Sequence, residues 1–382
     1  MKVLSVFGTR PEAIKMAPIV RLLKETAGIE SHVCVTAQHR DMLDQVLDLF
    51  EIEPEYDLDL MRDNQSLAQI SAAIFTYLDP VLADFKPDWV LVVGDTTTVV
   101  TTSLLTYFRR IKLGHVEAGL RTQNKWHPFP EEINRRLATV IADLHFAPTE
   151  WSKANLLREG IDEKNILVTG NSVIDALRFA VAQEQPEQIT TLLNRLSPGA
   201  KEREMKRLIL VTAHRRENFG QPLENICYAI KDLASRPNVE IVYPVHLNPN
   251  VQEPVNRILI DSPHITLLPP LDYLPLVHLM KHTKLILTDS GGLQEEAPSL
   301  GIPVLVLREV TERPEGIDAG TLKLVGTETS RIVEEARRLL DDPSAYEAMA
   351  KAANPYGDGH AAERIITALL RAEHRMTVEV KA

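Results

Sequence analysis

Cysteine is nearly absent: Cys34 and Cys227 are the only two in 382 residues. Each lies in an apolar run, so the pair reads as buried thiols in a reducing compartment and not as a disulfide framework. Aromatic residues make up only 5% of the chain, and no long basic run interrupts a net charge of −11. That argues against nucleic acid or an anionic membrane as the main partner, while leaving room for a local basic cleft. No apolar run approaches the roughly 20 residues of a membrane span. The apolar part of "MKVLSVFG" is too short for a signal peptide, and Arg10 and Glu12 follow at once, so a cytoplasmic protein is expected. Three ligand signatures are missing as well. No G-x-G-x-x-G opens a helix after a strand, no G-x-x-x-x-G-K-[ST] occurs, and no Cys/His metal spacing accompanies the one H-x-x-x-H pair, His278 and His282. No nicotinamide, P-loop nucleotide or metal is therefore expected, and no cofactor.

What is present is an α/β pattern. The chain is 44% hydrophobic and 25% charged, enough to bury sizeable cores, and its length suits two or three domains at roughly 150 residues each. Runs rich in Val, Leu and Ile, without period-2 alternation, alternate with amphipathic helical stretches. Such runs suit parallel strands covered on both faces. The first series is "KVLSVF", "ESHVCVT", "WVLVV", "KLGHVE", "LHFAP" and "NILVTG"; the second is "RLILVTA", "VEIVYPV", "HITLLP", "KLILTD", "IPVLVL" and "GTLKLVG". Between them 183–206 is polar, holds two prolines and reads as a linker. The expected organisation is an α/β domain over 1–182, this linker, a second α/β domain over 207–358, and a final helix over 359–382. Helices are expected from Ser66 to Phe85, kinked or split at Pro80, after Pro130, and from a Thr149 cap to Gly160.

Ligands of open parallel sheets sit at the carboxyl ends of the strands, and the charged residues concentrate there. "FGTRPEAIKMAP" runs from a strand into a turn with one glycine but with Arg10, Glu12 and Lys15; the helix proper is expected to begin near Pro18. "GDTTT" places Asp95 after a buried strand, where a helix cap is the competing reading. "HVEAGLRT" places Glu117 after the next strand, before a sequence that starts no helix well. "PFPEEINRR" supplies Glu131 and Glu132 in a first helical turn. Carboxylates crowded at one sheet end are expected to raise one another's pKa into the range of usable acids and bases. In the second series "HRRENFG" places His214, Arg215 and Arg216 after the first strand. "LTDSGGLQEEAPSLG" then combines Ser290, Gly291 and Gly292 with a helix start, which suits a diphosphate, and Glu295 or Glu296 could accept ribose hydroxyls. Arg313, in "TERPEG", offers a cation for the same anion. "YGDGHAAE" follows no strand and carries little weight alone.

Taken in order, these stretches, with "TAQHRDMLDQVL", "YPVHLNPNV" and "NPYGDG", resemble the bacterial, non-hydrolysing UDP-N-acetylglucosamine 2-epimerase family nearly end to end. The resemblance implies two doubly wound, Rossmann-like domains facing across a cleft, as in GT-B glycosyltransferases, with the last helix returning to the first domain. It implies that Arg10, Lys15, Asp95, Glu117, His214, Ser290, Gly291, Gly292, Glu296 and Arg313 contact the UDP-sugar, with Asp95, Glu117, Glu131 and His214 as candidates for the chemistry. It also implies a homodimer, a place in cell-envelope polysaccharide biosynthesis, and a regulatory pocket for a second UDP-N-acetylglucosamine, for which Gln38, His39, Arg215 and His246 lie in matching motifs. Val93, Leu271 and Leu276 depart from residues common in that family.

The chemistry has its own constraint. The hydrogen on carbon 2 of the sugar is not next to a carbonyl, so direct abstraction is poor, and oxidation at carbon 3 would need a nicotinamide site. Expelling UDP first leaves an oxocarbenium-like carbon 1, acidifies that hydrogen and gives 2-acetamidoglucal; UDP then adds back as a proton arrives on the opposite face. The route needs an anion clamp and acid–base groups on both faces of the ring. A hydrolysing relative, a glycosyltransferase and a non-catalytic UDP-sugar sensor are the alternatives.

Overall fold

β4, Trp89–Val93, is buried at all five positions, which a strand can be only when helices cover both faces of its sheet. The computed structural model describes residues 1–36, 40–60, 62, 65–196 and 207–379. These divide into two compact units, Met1–Arg178 with Tyr356–Ala382, and Phe179–Pro355.

The first unit holds a seven-stranded parallel sheet in the order β3-β2-β1-β4-β5-β6-β7. Its strands are β1 Lys2–Phe7, β2 Glu30–Val35, β3 Tyr56–Asp57, β4, β5 Lys112–Val116, β6 Leu144–Ala147 and β7 Ile166–Val168. β1 pairs with β2 on one side and β4 on the other, Val3 aligning with Trp89. The winding therefore reverses between β1 and β4, leaving a crevice at their carboxyl ends. The helix after β1 spans Arg10–Glu25 and does not wait for Pro18. Thr9 caps it in a capping box with Glu12, while Pro11 occupies the first turn and Pro18 lies inside the helix; a box that satisfies the first amides outweighs one lost interior bond. Likewise Leu67–Phe85 is one continuous helix through Pro80, capped by Ser66 and anchored by Ile74, Leu78, Val81, Leu82 and Phe85. Thr149 caps Glu150–Arg158, with Gly160 just beyond. The last helix, Ala361–Glu379, packs on Arg10–Glu25, burying Ile365, Ile366 and Leu369.

The second unit repeats the winding with six parallel strands, in the order β10-β9-β8-β11-β12-β13. They are β8 Arg207–Thr212, β9 Val239–Pro244, β10 Ile265–Leu268, β11 Leu285–Thr288, β12 Val304–Val306 and β13 Leu322–Leu324. Its reversal falls between β8 and β11. Within the stretch read as a linker, Glu187–Leu196 is a helix with Ile189, Leu192 and Leu193 buried, packed on the Tyr273–Lys281 helix of this unit. Residues 197–206 lie outside the described residues.

Both cysteines are buried, and desolvation pushes the Cys227 thiol up to about 12. Among the described residues, no helix is long and apolar enough to cross a membrane.

Candidate active site

A cavity of about 340 Å³ lies at the β1/β4 reversal of the first sheet, lined by Thr9, Glu12, Lys15, Gly94, Asp95 and Glu117 among others. Three strand ends supply these residues: the turn after β1, the turn after β4 and the residue after β5. Of the expected residues of this unit, the cavity brings together Lys15, Asp95 and Glu117. Arg10 opens the adjoining helix. Glu131 is the first residue of the Glu131–Ile141 helix, which leans on the cavity through its next turn.

Asp95 is not the cap of the following helix. Thr96 takes that place, accepting from the Val99 amide, so the Asp95 side chain serves elsewhere. Its Oδ2 accepts from Arg135 Nε at 2.8 Å and lies 2.7 Å from Nη2. The neighbouring Asn134 donates to the Asp95 carbonyl at 2.8 Å. The helix that starts with Glu131 is thus fastened to the Asp95 turn by two consecutive side chains. Behind that turn His115 Nε2 donates to the Gly94 carbonyl at 2.7 Å. Burial lowers the His115 pKa to about 4, so the ring is neutral at pH 7 and keeps one N–H for this bond.

Glu117 is 7% exposed and adopts φ +61°, a left-handed conformation unfavourable for a residue with a Cβ. Its Oε1 accepts from Lys15 Nζ and from Asn171 Nδ2 at 3.0 Å. The crowded carboxylates therefore do not simply face one another, since Arg135 stands with Asp95 and Lys15 with Glu117. In this cavity the Glu12 carboxyl has its pKa raised by burial. It takes amides of Gly8 and Thr9 at 2.9 and 2.8 Å and hydroxyls of Thr9 and Thr96. Glu12 ties the turn after β1 to the turn after β4, which explains why a strand-to-helix turn with a single glycine holds its shape.

In the second unit the candidates gather at the β8/β11 reversal. Asp289 is fully buried; its Oδ2 accepts from the His214 and Arg215 amides, each at 2.8 Å, and from Asn218 Nδ2 at 3.0 Å. The His214 ring stacks on His246, with centroids 5.4 Å apart, and its Nδ1 is 3.6 Å from Asp289 Oδ1. Shelter from solvent lowers the His214 pKa against the pull of Asp289, and His246 and Arg215 lower it further. Its imidazole is therefore neutral at pH 7 and can serve as a hydrogen-bond donor. Ser290 precedes the short Gly291–Glu296 helix. A Cβ on Gly291 would come within 2.7–2.9 Å of the Arg313 guanidinium, so a larger residue there would push this arginine off the turn. Arg313 also bonds Glu295 at 2.6 Å, and Tyr273 donates to Glu296 at 3.0 Å. Burial would raise Glu312, but the hydrogen bond from Arg308 and the charges of Arg313, Arg308 and Arg215 bring it to about 2. Gln38 and His39 lie outside the described residues; Arg215 and His246 are placed as above.

Strand-end reasoning from the sequence reached Glu12 and Asp289 by position without showing what they bind, and it missed Arg135 and Asn171. No local spacing signals Arg135 or Asn171, which lie 40 and 54 positions from the carboxylates they hold.

A sequence profile described as UDP-N-acetylglucosamine 2-epimerase matches residues 21–370. The chain belongs to the UDP-N-acetylglucosamine 2-epimerase family. It is 57% identical to the enzyme of that name from Yersinia pestis, over 99% of this chain and 100% of that one. It is 56% identical to the Escherichia coli K12 enzyme, over 97% of this chain and 98% of that one. Among solved structures, the UDP-GlcNAc 2-epimerase of Neisseria meningitidis, determined bound to UDP-GlcNAc, superposes with TM-score 0.91 at 52% identity, over 97% of this chain and all of that one. The chain is thus an isomerase of the 2-epimerase family, and its fold is the two-sheet α/β architecture of those proteins.

Proposed function

We propose that this enzyme interconverts UDP-N-acetylglucosamine and UDP-N-acetylmannosamine without net hydrolysis, by eliminating UDP to 2-acetamidoglucal and adding it back. The observation that carries the reading is the single cavity holding Asp95, Glu117 and Lys15 at the carboxyl ends of β1, β4 and β5. Acid–base groups are what inversion at carbon 2 demands, one for each face of the ring. Asp95, Glu117 and Glu131 fill those roles in the first unit, with Arg10 and Lys15 as its cations. In the second unit Ser290, Gly291, Gly292 and Arg313 hold the departing diphosphate. Neutral His214 donates to it, and Glu296, oriented by Tyr273, takes the ribose. Asp95 has Arg135, and Glu117 has Lys15 and Asn171, on one oxygen, so each charge is stabilised while the rest of the group faces the sugar.

Arg215 and His246 are proposed to contact a second UDP-N-acetylglucosamine that regulates turnover. A homodimer is proposed from the apolar surface of three adjacent helices of the first unit: Tyr77, Tyr107, Phe108, Leu137 and Val140 are 57%, 67%, 66%, 44% and 81% exposed.

Proton NMR of UDP-N-acetylglucosamine with the enzyme in deuterated water tests the reading. Deuterium at carbon 2 and a UDP-linked mannosamine product are expected. Free N-acetylmannosamine with UDP would make it a hydrolase, and bound but unchanged substrate would make it a sensor.

A further inference from the structure

We propose that Asn171 is a positioning residue for Glu117, and that the "NPYGDG" turn of the returning C-terminal segment holds Asn171 in place. The inference rests on the proposed role of Glu117 and adds the device that orients it.

Asn171 lies between β7 and the Ser172–Ala182 helix and is 2% exposed. Its Oδ1 accepts from the Val173 amide at 3.1 Å. That bond settles which end of the side-chain amide is the oxygen, leaving Nδ2 aimed at Glu117 Oε1. The other partner on this oxygen, Lys15, is a rotatable point charge and fixes distance more than direction. Planar Asn171 fixes direction. With both on Oε1, Glu117 Oε2 lies on the Gly94 side, 3.4 Å from where a Gly94 Cβ would stand, at the turn that carries Asp95. A non-glycine residue at positive φ, such as Glu117, persists only where its surroundings enforce that backbone conformation.

The enforcement continues outward. The Asn171 amide donates to the Tyr356 carbonyl at 2.7 Å, and Tyr356 is 1% exposed. Gly357 follows with φ +126°, and a Cβ there would meet Gly170 Cα at 3.1 Å and the Asn171 amide nitrogen at 3.4 Å. Arg364 then staples the two segments, donating to the Thr169 carbonyl at 2.9 Å and pairing with Asp358 at 2.8 and 2.7 Å. A motif with no strand before it and no ligand of its own thereby gains a purpose: its glycine lets the C-terminal segment reach the backbone of the residue that aims Glu117.

The test uses the full-length chain, wild type against Asn171→Ala, Asn171→Asp and Gly357→Ala. Losing one hydrogen bond to a charged group should lower kcat by about 10- to 100-fold in Asn171→Ala, with KM within about threefold. Asn171→Asp keeps the shape but sets a second carboxylate against Glu117. Its activity should rise as pH falls, a limb the wild type lacks. Gly357→Ala should lower kcat in the same sense without contacting Glu117. A readout free of turnover follows the Glu117 carboxyl carbon by NMR, assigned with Glu117→Gln. Its titration midpoint should rise in Asn171→Ala, because a donor to the charged form is gone. Full kcat in Asn171→Ala, an Asn171→Asp pH profile parallel to wild type, or an unmoved midpoint would each overturn the inference. Absence of carbon 2 exchange in the wild type would instead sink the proposed activity, and the titration would then decide the positioning role by itself.

Discussion

Four donors converge on the Glu12 carboxylate, and three of them belong to the turn after β1. Replacing Glu12 by alanine leaves these buried and half-buried donors without their acceptor. Urea unfolding should show a loss of about 2–4 kcal/mol, summed from a lost cap and buried bonds to a charged group. Glu117→Gln acts differently: it keeps the size of the side chain and removes the base. Carbon 2 exchange should fall by at least about 10²-fold while calorimetric UDP binding persists; retained exchange would remove Glu117 from the chemistry. At this scale the sequence showed the strand-end carboxylates clearly, because a polar residue just after a buried run is conspicuous. It did not show what holds them. Arg135 lies 40 positions from Asp95, and Asn171 lies 54 from Glu117. No local spacing marks such pairs; the order of strands in the sheet creates them.

The turn after β12 shows how an element carries charge. Glu312 sits among Arg308, Arg313 and Arg215 with its pKa brought from 4.5 to about 2. A carboxyl depressed in the folded state contributes stability that is complete above its unfolded pKa and lost as pH falls through the folded value. Wild type should therefore exceed Glu312→Gln in stability at pH 7, and the gap should shrink between about pH 4.5 and 2; a gap unchanged at pH 3 would contradict the pairing. Helix Glu187–Leu196 gives a second prediction. Leu192 is buried, so Leu192→Ala should destabilise the second unit by about 2–4 kcal/mol in urea. This helix was legible in principle. Ile189, Leu192, Leu193 and Leu196 follow helical spacing, but nearby prolines and polar residues drew the reading toward a linker. The same weighting of proline displaced the start of the Arg10–Glu25 helix to Pro18. The longer strands, by contrast, were read correctly because continuous runs of Val, Leu and Ile fit a sheet covered on both faces; the two-residue edge strand Tyr56–Asp57 has no such run and was missed.

Across the whole molecule, two units of like winding each place their candidate groups at the reversal of strand order, where open sheets bind ligands. The exposed apolar side chains on three helices of the first unit suit a second copy of the chain. Val140→Asp with Phe108→Asp should shift the mass seen by light scattering from dimer to monomer, and a wild-type mass that is already monomeric would remove the dimer. In the proposed reaction the bond between carbon 1 and the diphosphate breaks before carbon 2 changes configuration. Positional isotope exchange tests it most directly. With ¹⁸O placed in the oxygen that bridges the sugar to UDP, phosphorus NMR should show the label moving to the non-bridging positions of the β-phosphate while the two UDP-sugars interconvert. Label that stays in the bridge as UDP-N-acetylmannosamine accumulates would contradict the account.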